Sequence, residues 1–177
     1  MSAPFLVTER LELWLPEAGD WRETHEIISH PETARYLGPP SEPARTFERF
    51  QKNGGSWLLH GYGMLLVREA GERRIIGQAG IFHTFRDIGE DFDDGPEAGW
   101  IMRPEAGGKG LASEAMRAIY AWFDTEFGRR SVCMITRGNA ASVKLAETLG
   151  FTLMRSIEKD GDTLDLFERR AARADTL

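Results

Sequence analysis

The residues with the most evident chemical use form one run, Arg103-Pro104-Glu105-Ala106-Gly107-Gly108-Lys109-Gly110-Leu111-Ala112, between the end of an apolar strand pattern and the strongest helical pattern of the chain. Gly107, Gly108 and Gly110 allow positive φ, so that successive backbone N–H groups turn toward one point. The first turn of the helix that follows adds unpaired donors and a partial positive charge. Such a concavity binds phosphate. Taken alone, the same glycines also fit a tight turn that only relieves backbone strain.

Inspection removes several other chemistries. There is no Gly-x-x-x-x-Gly-Lys-Ser/Thr and no Gly-x-Gly-x-x-Gly after Gly108, so neither a P-loop nor a dinucleotide fingerprint fits. A Gly-x-Ser-x-Gly elbow, a His-Glu-x-x-His pair and a Cys-x-x-Cys are also missing, and His25, His30, His60 and His83 are scattered. Hydrolase and metal-site chemistry have no foothold. The one cysteine, Cys133, lies in an apolar run and reads as a small core residue rather than an acyl carrier.

The glycine run needs a strand before it and a helix after it. Glu97 to Met102 reads as the strand. Leu111 to Phe127 reads as the helix, because Ala112, Ala115, Met116, Ile119, Trp122, Phe123 and Phe127 share one face, with Glu114, Arg117 and Asp124 opposite and Gly128 as a stop. Upstream, Leu11, Leu13 and Leu15 alternate with Glu12 and Trp14 in a strand ended by Pro16. Asp20 to Ser29 fits a helix with Asp20 as N-cap, and Ala44 to Lys52 fits a second one terminated by Gly54 and Gly55. Gly63 to Arg68 and Ile75 to Phe82 read as a hairpin. Asp87 to Pro96 has loop composition; its carboxylates Glu90, Asp91, Asp93 and Asp94 are either a solvated loop or an attractor for a cationic amine.

Downstream, Val132 to Ile135 is a strand, Asn139 to Leu149 a helix closed by Gly150, and Phe151 to Met154 with Leu164 to Phe167 a strand pair. Only the strand, helix, strand, helix stretch looks like a crossover unit. The expected fold class is therefore α/β, with a mixed, mainly antiparallel central sheet and helices on both faces.

At 177 residues the chain is expected to form a single domain over 1–177, long enough to bury a core without disulfides or metals. With 41% hydrophobic and 28% charged residues it reads as globular, which excludes disordered and fibrous classes. A net charge of −6 and a pI near 5.3 give no overall positive field for nucleic acid or an anionic membrane and favour cationic partners. With no disulfide pair, no signal-like leader and no long apolar run, the expected location is cytoplasmic.

Gly108-Lys109-Gly110-Leu111-Ala112-Ser113-Glu114-Ala115, followed by Asn139-Ala140-Ala141-Ser142 and Leu149-Gly150-Phe151, resembles the GNAT family of acetyl-CoA-dependent N-acetyltransferases. The opening Thr8 to Leu11 and the strand Glu97 to Trp100 make the chain most similar to the branch of ribosomal-protein N-terminal acetyltransferases. The resemblance implies a GNAT-like domain, acetyl-CoA as co-substrate and no metal. It implies that backbone groups of Ile101 and Met102 pair with the pantetheine arm like an added strand, and that main-chain N–H groups of Gly108, Lys109, Gly110, Leu111, Ala112 and Ser113 receive the diphosphate. The Lys109 side chain itself reads as a solvated cation. Asn139 and Ser142 read as part of the cofactor site, as the N-cap pair of the last helix, or as both. The family often has Gln or Arg where this chain has Glu105, and a thiolate-protonating tyrosine where it has Ala146.

With no acid in place of that tyrosine, a thiol pKa of about 8.5 still makes thiolate a tolerable leaving group, protonated by solvent. A lysine-type ammonium costs on the order of 4 to 5 kcal/mol to deprotonate at pH 7, against about 1 kcal/mol for an α-amine. Glu97, beside the expected cofactor strand, is the candidate catalytic base, directly or through water; the alternative is an exposed strand-end carboxylate. The family-implied donor to the thioester oxygen is a backbone N–H near Ile101 or Met102. Trp21, Tyr36, Phe47 and Trp57 wall an acceptor cleft or simply pack.

The expected function is acetyl transfer from acetyl-CoA to a primary amine by direct attack, the acceptor being a protein N-terminal α-amine or a small amine such as a polyamine. The expected state is monomer or homodimer. Two rivals are a non-catalytic acyl-CoA-binding module and a structural domain whose glycine turn binds nothing.

Overall fold

The computed structural model describes residues 3–38 and 42–171. Strand β1 (Leu6–Val7) pairs with β2 (Leu11–Trp14), whose Leu11 and Leu13 are fully buried while Glu12 and Trp14 point to the other face. Helices α1 (Trp21–Ser29), α2 (Pro31–Ala34) and α3 (Pro43–His60) come next, then β3 (Met64–Glu69), β4 (Ile75–Phe82), the short α4 (Glu90–Asp93) and β5 (Glu97–Met102). A single turn over Pro104–Ala106 leads to α5 (Leu111–Glu126), β6 (Ser131–Thr136), α6 (Ala140–Thr148), β7 (Thr152–Lys159) and β8 (Asp162–Arg169).

The eight strands form one sheet in the order β1-β2-β3-β4-β5-β6-β8-β7, antiparallel except where β5 meets β6. On one face Leu13, Leu65, Val67, Ala79, Ile81 and Ala98 pack against Ala115, Met116, Ile119 and Phe123 of α5. On the other, Leu66, Ile75 and Ile101 pack against Ile27 and Ile28 of α1. Covered on both sides, β3 and β4 read as continuous apolar runs. Full burial of a side chain such as Ile119 or Phe123 contributes about 1.5–3 kcal/mol. The expected α/β architecture is the one observed.

Strand β1 and helix α2 lie where no element was expected, and three further elements depart from the expectations. Helix α3 continues through Gly54 and Gly55 to His60. Each interior glycine costs about 1 kcal/mol, but tertiary bonds hold the last turns: Ser56 Oγ donates to Tyr62 O at 2.8 Å and Trp57 Nε1 to Met64 O at 2.9 Å. The stop is Gly61, at φ 77°. The acidic loop contains α4, folded around the buried Asp93. The last hairpin is longer than its apolar pattern, because Asp160 and Gly161, at φ 53° and 88°, make a two-residue turn of the primed type.

Strands β5 and β6 share one register pair, Glu97 with Val132, and separate beyond it. Arg103 N–H donates to Ile76 O, and Val132 N–H donates to Pro96 O. Backbone polar groups alternate sides along a strand, so Ile101 and Arg103 face β4, whereas Ala98, Trp100 and Met102 face the gap toward β6.

Candidate active site

The gap between β5 and β6 opens toward the N-terminus of α5. Gly110, at φ 76°, is the N-cap of α5; its carbonyl accepts from Glu114 N–H at 3.0 Å, and no side chain caps the helix. The amides of Leu111, Ala112 and Ser113 therefore have no intrahelical acceptor. Gly108, at φ 71°, is exposed, and a Cβ there would meet nothing within 4 Å.

The cradle is braced from behind by the start of β2. Glu114 accepts from Thr8 Oγ1 at 2.6 Å and from the backbone N–H and Nε of Arg10 at 3.0 and 2.6 Å, and Arg10 Nη1 donates to Lys109 O at 3.0 Å. Burial tends to raise the Glu114 carboxyl, but the bonds from Thr8 and Arg10 outweigh it and hold it below the ordinary range. Arg10 thus offsets the one carboxylate in the first turn, and the helix end keeps its positive field.

Along the gap, the structure corrects one expectation. Met102 presents its backbone to the open side, but Ile101 is committed to β4 and its side chain is buried against α1. Alternation makes Trp100, not Ile101, the second backbone position facing the gap. The Trp100 indole crosses to α6, where Nε1 donates to Ser142 Oγ at 3.2 Å. Asn139 is the N-cap of α6, its Oδ1 accepting from Ser142 N–H at 3.2 Å. Lys109 is exposed in the loop, and Glu105 pairs with Arg74 at 2.8 Å. Ala146 and Cys133 are sealed in the core, and burial, then Glu97, pushes the Cys133 thiol up.

Glu97 is neither exposed nor free. It is buried at the start of β5, and its two oxygens accept from Arg86 Nε and Nη2 at 2.6 and 2.7 Å. This two-bonded ion pair is the geometry of a structural anchor. It corrects the expectation of a free base, because both oxygens are aimed at a guanidinium rather than into the cleft. The acidic loop is likewise mostly spoken for. Asp93 accepts from the amides of Arg86, Ile88 and Gly89 at 2.7, 2.7 and 3.0 Å. Burial tends to raise its carboxyl, and those amides more than compensate, leaving it lowered. Asp91 is lowered first by its bond to Arg155.

On the α1 and α3 side of the sheet, His25 Nδ1 meets Thr46 Oγ1 at 2.9 Å, and Trp21 packs edge-on against Phe47. Tyr36 reaches the end of β6, its hydroxyl donating to Gly138 O at 3.4 Å. Trp57 belongs to the core with Phe5 and Trp122. Sequence reasoning missed Arg86, whose pairing with Glu97 has no local signal.

The open edge of β5 thus lies beside an uncapped helix N-terminus, on a sheet splayed at its one parallel pair. The chain matches the acetyltransferase (GNAT) domain over residues 10–152 and belongs to that family of acetyl-CoA-dependent N-acetyltransferases. Among solved structures it is similar to a GnaT-family acetyltransferase from Bordetella pertussis, at 30% identity and TM-score 0.84 over 93% of this chain and 98% of that one. An acetyltransferase from Agrobacterium tumefaciens str. C58 is 28% identical with TM-score 0.79, over 96% of each chain. The fold is shared with an acetyl transferase from Salmonella typhimurium that modifies the N-terminal serine of 50S ribosomal subunit protein L7/L12, at 17% identity, TM-score 0.75 and coverage of 94% and 98%. Among the described residues no helix is long and apolar enough to cross a membrane, and no group of three or more His, Cys, Asp or Glu is placed to hold a metal ion.

Proposed function

We propose that the protein holds the diphosphate of acetyl-CoA on the main-chain amides of Gly108 to Ser113 and transfers the acetyl group to an α-amine. The observation that carries this reading is the alignment of two unpaired backbone sets: the N-terminus of α5 and the open edge of β5 at Trp100 and Met102. The diphosphate meets the helix field, and the pantetheine amides continue the sheet against that edge. In this reading an N–H on the same edge takes the thioester oxygen as it gains charge.

The amine nitrogen attacks the thioester carbon, the C–S bond breaks, sulfur leaves as thiolate and the ammonium proton goes to solvent. Glu97 is tied to Arg86, and an α-amine needs no strong base: its deprotonation at pH 7 costs about 1 kcal/mol. A lysine-type or polyamine acceptor, at roughly 4 to 5 kcal/mol, is disfavoured by the same arithmetic. A panel of α-amines and alkylamines, followed by thiol release from acetyl-CoA, tests the reading. Turnover with α-amines that disappears in Gly108→Trp supports it; coenzyme A binding without turnover of any amine supports a non-catalytic module instead.

A further inference from the structure

Strands β2 and β3 carry a second group of polar side chains, away from the β5–β6 gap. Along β2, Leu11 and Leu13 are buried on the α5 side of the sheet, so Glu12 and Trp14 lie on the face that carries α1. On β3, Leu66 packs against α1, and Arg68 follows two residues later on the same side. The ladder sets Glu12 directly opposite Arg68, and Trp14 opposite Leu66. Together with the chain after β2 and the β3–β4 turn, they surround a cavity of about 490 Å³, lined by Glu12, Trp14, Leu15 and Arg68 and rimmed by Glu17, Glu72 and Arg73. That volume is in the range of small-molecule sites, roughly 300–1,000 Å³.

Glu12 and Arg68 are opposite charges on facing residues, an arrangement that ordinarily pairs. Here they do not. Arg68 lies over the Trp14 ring, 5.1 Å from its centroid, and its ionic contact is Asp20, at 3.7 Å. Glu12 instead accepts from two neutral donors, Trp14 Nε1 at 3.1 Å and Gly71 N–H at 3.3 Å, and forms no ion pair among the described residues. Its carboxylate is half-buried, fixed by those two bonds and without a counter-charge. The rim does not supply one. Asp20 answers Arg68, while Glu17 and Glu72 set two more carboxylates against the exposed Arg73. The cavity is therefore net negative, with an indole and Leu15 as its apolar wall, a lining that suits an ammonium group on an apolar stem.

We propose that this cavity binds a small alkylammonium ion, its charge on Glu12 beside the Trp14 ring and its carbon chain against Trp14 and Leu15. The site is distinct from the acetyl-transfer gap, because β4 lies between β3 and β5 and α1 covers Leu66, Ile75 and Ile101 across those three strands. An amine bound here is not the one acetylated, and the inference does not depend on the acetyl-transfer reading.

The test is an NMR titration of the full chain, read on the side-chain indole N–H of Trp14, which Trp14→Phe assigns. That N–H donates to Glu12, so a cation reaching the carboxylate moves it. Butylammonium is compared with 1-butanol, of the same chain length, at matched ionic strength. Butylammonium is expected to shift the resonance saturably and to bind about tenfold or more tightly than the alcohol, as a charge-assisted hydrogen bond predicts. Glu12→Gln abolishes that ratio. Glu72→Gln lowers it by roughly two- to threefold, as loss of one exposed charge predicts. Its side chain forms no hydrogen bond or ion pair among the described residues, so this variant decides the question even where Glu12→Gln is unstable. Glu126→Gln, exposed at the end of α5, removes the same charge and leaves the ratio unchanged. Equal binding of amine and alcohol overturns the proposal, as does a ratio unmoved by both cavity variants or moved as far by Glu126→Gln.

Discussion

Arg10 and Glu114 meet at 2.6 Å, joining the start of the second strand to the first turn of the helix whose leading amides have no intrahelical acceptor. Two motifs more than a hundred residues apart in the chain, Thr8 to Leu11 and Gly108 to Ala115, are thereby one structural unit. The brace fixes the Lys109 carbonyl as well. Arg10→Ala is expected to weaken coenzyme A binding by up to about fivefold, since a partly exposed ion pair contributes up to about 1 kcal/mol. Calorimetric titration checks this, with the melting temperature nearly unchanged.

Gly110 sits at φ 76° where a side chain is strained by roughly 1–2 kcal/mol. Gly110→Ala is expected to lower stability by that amount and to reduce coenzyme A affinity further by tilting the first turn. Urea unfolding and calorimetry on the same variant separate the two effects.

The pairing of Arg86 with Glu97 makes opposite predictions for its two partners. Arg86→Met strands a buried carboxylate and is expected to cost about 3–5 kcal/mol of stability. The double variant with Glu97→Gln recovers much of this loss, measurable as a coupling in a double-mutant cycle. Glu97→Gln alone keeps acetylation of α-amines within about tenfold, less than the 10²–10⁴-fold that loss of a general base would remove.

Asp93 sets a pH dependence with a definite sign. Its carboxyl is lowered in the folded state, so its contribution is complete above the unfolded value near 3.9 and fades as pH falls through the lower folded value. Asp93→Asn is expected to cost about 1–3 kcal/mol at pH 7 through loss of charged acceptance from three amides. The gap between variant and parent narrows below about pH 4 in urea titrations.

Much of the frame is legible in local pattern. The face of α5, the bounds of β5 and the glycines between them follow from periodicity and from backbone freedom, which neighbouring residues alone determine. What the sequence hides is tertiary partnership. Nothing local to Glu97 reveals that Arg86 takes both oxygens, and nothing local to Gly54 and Gly55 reveals that bonds from Ser56 and Trp57 carry the helix past them. The side of β5 on which Ile101 lies is set by the ladder with β4, a fact of pairing rather than of composition. Asn139 was legible as a cap because Ser142 follows at the required spacing.

The most direct measurement is a coenzyme A titration followed by backbone-amide NMR. The account predicts saturation at one equivalent, with the amides of Gly108, Gly110, Leu111, Ala112 and Ser113 shifting together with those of Trp100 and Met102, while Ile101 moves little. Saturation with those amides undisturbed, or no binding, would contradict it.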